Sequence, residues 1–278
     1  MGFDINKMLV ISKKEFADNI RNRWIIILTV IFVSLTIAAS IVAGGGEIGS
    51  MDDTVAGLLS IASLLIPIIG IMLGYGTISG EANSGALAVV LSYPVKRAEV
   101  LFGKFLGLGS VLSLSVLLGF GLSGVVIAAT TDAQWGGYLV FIGLSILLGL
   151  VFLSLSLCCS AILKRRVASL GAGIVVFFFG MIVGLVFLGY LQATGGDTMD
   201  LIMGNFENIP DWFWFFASLS PMDGYQTAST QAFDISEVFG YRMDLPEFLN
   251  MPNIVISQLL WLFIPLILAY LFFERRDI

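Results

Sequence analysis

The feature that most constrains this chain is a series of six apolar runs, each long enough to cross a lipid bilayer. A helix needs roughly 20 apolar residues to span the hydrocarbon core, and the runs lie at residues 24–43, 55–78, 106–129, 138–163, 167–190 and 254–273. Of the 278 residues, 58% are hydrophobic and only 12% are charged, whereas soluble domains carry about 25% charged residues. The sequence therefore predicts an all-α polytopic membrane protein with six transmembrane helices in a single domain, residues 1–278.

The basic residues fall almost entirely on one side of this six-span layout. The segments on that side hold 13 of the 14 Lys and Arg residues, and only Arg242 lies on the other side. Segments rich in Lys and Arg face the cytoplasm, so we predict a multi-pass protein of the cell (plasma) membrane with both termini cytoplasmic. The domain then has four sections. An interfacial helix and its flanks occupy residues 1–23, and spans 1–5 occupy residues 24–190. A long outer loop covers residues 191–253, and span 6 with the tail covers residues 254–278. Span 1 is interpreted as a retained anchor, because no clear small-residue cleavage site follows it.

The predicted spans contain no Asp, Glu, Lys or Arg, and the chain contains no His. Buried ionisable residues are the usual mark of proton-coupled transporters, and an intramembrane enzyme needs an acid/base or nucleophile–base pair. Both classes are therefore disfavoured, and no catalytic, cofactor-binding or metal-binding residue is predicted. Adjacent Cys158 and Cys159 raise a Cu(I) site as an alternative. Neighbouring helix residues point about 100° apart, so packing is the preferred interpretation.

Small residues and prolines shape the predicted spans. Three glycine pairs have the four-residue spacing that is typical of close helix packing. They could pack helices within one subunit or, as the alternative, across a dimer interface. The pairs are Gly70 and Gly74, Gly103 and Gly107, and Gly180 and Gly184. Pro67 and Pro265 predict kinks in spans 2 and 6. Residues 6–23 predict an amphipathic helix at the cytoplasmic interface, with these side chains toward lipid: Met8, Leu9, Ile11, Phe16 and Ile20.

The loop between spans 2 and 3 is the more informative of two long connections. It predicts a short amphipathic helix from about Glu81 to Ser92 that ends before Pro94. Its pattern E-x-x-S-G-x-L-x-x-x-L-S-x-P-x-x-R-x-E-x-x-x-G-K-x-x-G resembles that of ABC-2-type permeases, and it is closest to the branch with the permease of the nitrous-oxide-reductase copper-site maturation system. The matching residues are Glu81, Ser84, Gly85, Leu87, Leu91, Ser92, Pro94, Arg97, Glu99, Gly103, Lys104 and Gly107.

This resemblance implies a type V ABC-exporter-like fold in which the loop is a cytoplasmic coupling helix that docks on an ATPase. The implied ATPase-coupling residues are Glu81, Ser84, Gly85, Leu87, Leu91, Pro94, Arg97 and Lys104. The implied partners are two copies of an ABC ATPase subunit and a second permease copy, besides the lipid bilayer. The chain has no G-x-x-x-x-G-K-[S/T] motif, so ATP and Mg²⁺ are expected in the ATPase, and no nucleic-acid partner is predicted. The expected function is export by alternating access.

The second long connection is the outer loop at residues 191–253. Trp212 and Trp214 are expected at the membrane surface, and Pro221 and Asp223 resemble a Pro-x-Asp motif of the copper-maturation branch. Outer segments hold 13 of the 20 acidic residues. Substrate entry, a lid and docking of an extracytoplasmic partner protein all stay open for this loop. The alternative function is a membrane anchor or assembly scaffold that recruits such a partner without transport. Copper or sulfur species, lipids, drugs and peptides all stay open as cargo.

Overall fold

The chain folds as a bundle of membrane-length helices with shorter helices at both ends. The computed structural model describes residues 3–44, 51–130, 135–194, 212, 214–215, 219–233, 237–238, 241–242 and 248–276. In chain order the helices are α1 (Ile5–Asn19), α2 (Arg23–Gly44), α3 (Met51–Gly74), α4 (Ser79–Asn83), α5 (Ala86–Leu91), α6 (Arg97–Thr130), α7 (Trp135–Ile162), α8 (Arg166–Phe177), α9 (Phe179–Thr194), α10 (Pro221–Ala232) and α11 (Met251–Glu274). Strands β1 (Glu237–Val238) and β2 (Tyr241–Arg242) form a short antiparallel ladder, which the all-α prediction did not include.

Within the described residues, five helices are each long and apolar enough to cross a bilayer: α2, α3, α6, α7 and α11. The predicted fifth span is not one continuous helix. It consists of α8 and α9, which are bent by 46° and count as one crossing only if taken together. The break falls at Phe178, just before Gly180, where glycine has low helix propensity. Pro67 and Pro265 lie inside α3 and α11 without ending either helix.

Helix α7 is the centre of the bundle and packs against α3, α6, α8, α10 and α11. Its Phe141 meets Phe120 of α6 at 4.8 Å between ring centroids, and Phe120 in turn meets Phe32 of α2 at 5.2 Å. Edge-to-face aromatic contacts of this kind add to the gain from burial. Several buried serine hydroxyls donate to nearby carbonyl groups, as Ser156 does to Ile71 O at 3.0 Å.

Two of the three glycine pairs pack helices within the subunit, as predicted. A Cβ on Gly70 would lie 2.9 Å from Gly149 O of α7. Gly107 is tighter still, since its Cβ would lie 2.5 Å from Ser12 O of α1. By contrast, a Cβ on Gly184 would meet no atom within 4 Å among the described residues. The pairs in α3 and α6 therefore serve α7 and α1, respectively.

Helix α1 lies across the first turns of α6, and this changes one prediction. Ile11 and Phe16, expected to face lipid, instead pack partly buried against the protein core. Gly103 and Gly107 carry no side chains, so α1 approaches close enough to bring these residues inward. Leu9 remains exposed, as predicted. Helix α1 is thus fixed to the bundle on one face.

Candidate functional site

The candidate site is the segment between α3 and α6, residues 79–96, which we call the elbow. One helix from Glu81 to Ser92 was predicted, but the structure has two short ones, α4 and α5. Gly85 separates them with φ at +76°, in the left-handed region. A side chain at this φ is strained, even though the space around Gly85 is open. The glycine is therefore needed for the backbone turn, and not for a close contact.

The elbow is held to the bundle by one fully buried side chain, Leu87. It is 0% exposed and packs in a cluster with Ile78, Val100, Leu101 and Phe273, among others. Burying a leucine contributes roughly 1.5–3 kcal/mol. Because the cluster contains residues of α6, α7 and α11, Leu87 ties the elbow to three spans.

The opposite side of the elbow exposes large apolar side chains. Val89 is 62% exposed and Tyr93 is 66% exposed. Ser84, Gly85 and Pro94 are exposed beside them. The backbone at Pro94 is also held in place by α1, because Lys7 Nζ donates to Pro94 O at 2.6 Å. An exposed apolar patch on a rigid polar support is typical of a protein-docking surface.

A buried lysine joins the elbow to both neighbouring helices. Lys104 Nζ of α6 lies 2.8 Å from Glu15 Oε1 of α1 and 2.6 Å from Glu81 Oε1 of α4. The Lys104 side chain is 3% exposed, Glu15 is 7% exposed and Glu81 is 26% exposed. A buried charge needs partners of this kind, because removing it from water is costly. We call these three residues the clasp.

Two charged residues, Lys14 and Asp18, extend the clasp toward the protein surface. Lys14 Nζ lies 3.4 Å from Glu15 Oε1 and 3.2 Å from Asp18 Oδ2. Partial burial would lower the pKa of Lys14, but the carboxylates of Glu15 and Asp18 outweigh it and raise that pKa above its usual value. Glu15 therefore lies between a buried and an exposed ammonium group.

A second carboxylate fastens the start of α6 to the start of α1. Glu99 is buried and accepts the backbone N–H of Asp4 at 2.8 Å and that of Lys96 at 2.9 Å. A carboxylate suits the free N–H groups at helix N-termini. Helices α1 and α6 are thus joined at Glu99 as well as at the clasp.

Arg97 fastens the elbow to the end of α11. Its Nη1 donates to Phe273 O, Glu274 O and Arg276 O, at 2.5, 3.0 and 2.7 Å. A cation is favourable at this helix C-terminus. The guanidinium also lies 5.6 Å from the centroid of the Phe273 ring.

The α7–α8 connection supports the elbow from the other side. Ser160 Oγ of α7 accepts the backbone N–H groups of Ile78 and Ser79 at 3.1 and 3.0 Å. Asn83 Nδ2 donates to Lys164 O at 3.1 Å. Arg166 Nη2 donates to the hydroxyl of Tyr75 at 2.7 Å. The elbow is therefore held on every side except its exposed face.

The eight residues predicted to couple to an ATPase fall into two groups in the structure. Ser84, Gly85 and Pro94 are exposed, whereas the others are wholly or partly buried and bind the elbow to the bundle: Glu81, Leu87, Leu91, Arg97 and Lys104. The sequence reading omitted the partners Glu15, Ser160 and Arg276. Glu15 gave one usable signal, since it follows Ile11 by four residues and so places an acid on the apolar face of α1.

The predicted outer residues lie at the opposite end of the bundle. Trp212 makes edge-to-face contacts with Phe187 and Tyr190 of α9, at 5.7 and 5.1 Å between ring centroids. Trp214 packs against the core. Pro221 is buried at the start of α10, and Asp223 follows in the first turn. Burial raises the pKa of the Asp223 carboxyl, and a hydrogen bond with Ser220 partly offsets this. The structure brings Pro221 and Asp223 together in the first turn of α10.

Helix α10 is polar yet firmly packed between α7 and α11. The Tyr225 hydroxyl lies 2.8 Å from Ser145 Oγ of α7, and Gln258 Nε2 of α11 donates to Pro221 O at 2.7 Å. Cys158 and Cys159 carry free thiols. Among the described residues, no group of three or more His, Cys, Asp or Glu side chains is placed to hold a metal ion.

Comparison with known proteins gives a consistent set of relatives. A family model described as ABC-2 family transporter protein matches residues 9–278. The chain is 32% identical to the probable ABC transporter permease protein NosY of Pseudomonas aeruginosa over 281 residues, covering 96% of this chain and 98% of that protein. It is also 32% identical to the probable ABC transporter permease protein NosY of Stutzerimonas stutzeri over 284 residues, covering 98% and 99%.

Proposed function

Because the chain belongs to the ABC-2 family of transporter proteins, we propose that it exports a substrate by alternating access, driven by an ATPase that docks on the elbow. The chain is a multi-pass membrane protein and a permease subunit of an ABC transporter, which implies a separate ATPase partner. The proposed direction rests on the resemblance of the elbow motif to exporter permeases.

The observation that carries this proposal is the clasp. A docked ATPase can move the spans only if the docking segment is rigidly connected to them. Lys104 joins α4 to the first turns of α6, which continues without a break for 34 residues. At 1.5 Å per residue that is about 51 Å, longer than the roughly 30 Å hydrocarbon core. A push on the exposed face of the elbow would therefore reach the membrane interior through one rigid helix.

The same contacts extend the moving unit beyond α6. Glu15 and Glu99 join α1 to it, and Arg97 joins the end of α11. We propose that the elbow, α1, α6 and α11 move as one body when the ATPase closes on ATP. Helix α9, whose contacts with the remaining helices are sparse, would then belong to the part against which this body moves.

The proposed assembly contains two permease copies and two ATPase subunits in the cell membrane. ATP and Mg²⁺ would bind the ATPase, and this chain would supply the docking face and the path. The elbow and both termini would lie in the cytoplasm, in agreement with the distribution of basic residues. The α10 region would then face the opposite side, where an extracytoplasmic partner protein could bind.

The docking step is tested with the exposed tyrosine of the elbow. Tyr93→Ala removes a large apolar side chain at the centre of the proposed interface, so co-purification of the co-expressed ATPase should fall at least tenfold, as for an interface hot spot. Tyr190→Ala is the matched control, because Tyr190 is 42% exposed at the end of α9, far from the elbow. Equal ATPase recovery with both variants would contradict docking on this face.

A further inference from the structure

A groove of about 490 Å³ lies beside α6. Its wall includes Leu106, Ser110, Ser113 and Leu117 of α6, together with Phe16 of α1 and Leu150 of α7. At 100° per residue, these α6 positions lie roughly opposite Ser115 and Gly119, which meet α2. The groove therefore opens away from α2, between α1 and α7, on the side of the molecule that faces lipid.

The position of the groove matches one leaflet of the bilayer. Helix α1 crosses α6 at Gly103 and Gly107, so the groove begins directly below this helix. Leu106 and Leu117 are separated by about 17 Å along α6. Half of the roughly 30 Å hydrocarbon core is about 15 Å. A neighbouring transmembrane helix would contact α6 through both leaflets, whereas this groove covers only one.

The chemistry of the wall suits an acyl chain. Most of the wall is apolar, and Leu106 and Leu117 are partly exposed toward the surroundings. The hydroxyl of Ser110 donates to Leu106 O within its own helix at 2.7 Å, so it offers no free donor to a polar ligand. A long hydrocarbon chain would fill this mostly apolar space without breaking the Ser110 hydrogen bond.

Helix α1 carries an exposed cation one turn before Phe16, which lines the groove. Lys13 precedes Phe16 by three residues, which places both on neighbouring positions of one face of α1. Lys13 is exposed, and no carboxylate in the described part of the chain pairs with it. A lysine at the membrane surface attracts anionic lipids.

We propose that this groove binds one acyl chain of an anionic phospholipid, with the headgroup phosphate beside Lys13. In the orientation proposed above, the lipid comes from the cytoplasmic leaflet. It fills the space under α1 and so supports the helix that carries Glu15 of the clasp. This site is independent of the transport direction and of the docking of the ATPase.

The test uses the full-length protein in nanodiscs of phosphatidylglycerol and phosphatidylcholine at 1:3. A photoreactive benzoylphenylalanine replaces Leu117, and intact-mass analysis identifies what it captures after illumination. We expect adducts of phosphatidylglycerol enriched about fivefold over its bilayer share, the factor that one lysine near the surface contributes. Lys13→Gln should remove the enrichment, whereas Lys164→Gln, an exposed lysine on another connection, should not.

A second pair of variants fills the space directly. Ser113→Phe should abolish lipid capture at position 117. Gly171→Phe, on α8 where an added side chain meets no atom within 4 Å, should leave capture unchanged. Covalent dimers of the chain at position 117 would show that a second copy occupies the groove. Capture of the two lipids in their bilayer ratio would show non-selective lipid contact. Either result overturns the proposal.

Discussion

At the scale of single residues, Lys104 carries the largest energetic consequence. It is the only one of the three clasp residues that contacts both of the others, and it is almost wholly buried. Lys104 and Glu81 both appear in the motif, but their ion pair was not predicted, because 23 residues separate them. Glu15 was not predictable as the third member, because it lies 89 positions before Lys104 in the sequence and meets it only after α1 packs on α6.

Replacing Lys104 with Met should destabilise the protein strongly. The change leaves the buried carboxylate of Glu15 with only the largely exposed Lys14 as a partner, at 3.4 Å. The free energy of unfolding is therefore expected to fall by up to about 3–5 kcal/mol. Glu81→Gln should have a smaller effect, because Glu81 is partly exposed and water can reach it. Unfolding in detergent micelles, followed by tryptophan fluorescence, measures both.

The double variant Glu15→Gln with Lys104→Met separates charge from packing. It removes the uncompensated carboxylate and should regain much of the stability that Lys104→Met loses. If Lys104→Met unfolds no more easily than Glu81→Gln, the clasp is not a buried ion pair that holds the elbow.

At the scale of elements, the sequence predicted five of the spans closely, because long apolar runs leave few alternatives in a bilayer. The fifth span differed because hydrophobicity does not reveal a bend within an apolar run. The elbow differed because Gly85 takes a left-handed conformation and divides one amphipathic pattern into α4 and α5. The prediction for α1 differed from the structure because Gly103 and Gly107 leave room for α1 to pack on α6. Apolar side chains of α1 that were predicted to face lipid therefore contact the protein instead.

Replacing Gly107 with Ala should detach α1 from α6. The new Cβ would lie 2.5 Å from Ser12 O, a backbone atom that cannot move alone, and overpacking of this kind costs about 1–3 kcal/mol. Limited proteolysis within residues 5–19 should become faster. Gly121→Ala, on the same helix with open space around it, is the control, and equal cleavage rates for the two variants would exclude close packing at Gly107.

At the scale of the whole molecule, the contacts distinguish a tightly joined set of helices from the loosely packed α9. The elbow, α1, α6 and α11 are connected by the clasp, by Glu99 and by Arg97. Helix α9 lies apart, beyond the bend at Phe178. This division could not be predicted from hydropathy, because it depends on which helix ends share hydrogen bonds and ion pairs. It is the physical basis of the proposed coupling.

The most direct test measures distances between spin labels while the co-purified ATPase is cycled between nucleotide-free and vanadate-trapped states. Labels at Ser84 and Leu118, in a background with Cys158 and Cys159 replaced by Ala and diluted with unlabelled chain, report on the elbow and α6. Labels at Leu118 and Leu185 report on α6 and α9. The account predicts that the 84–118 distance stays constant while the 118–185 distance changes. A changing 84–118 distance with a constant 118–185 distance would contradict it.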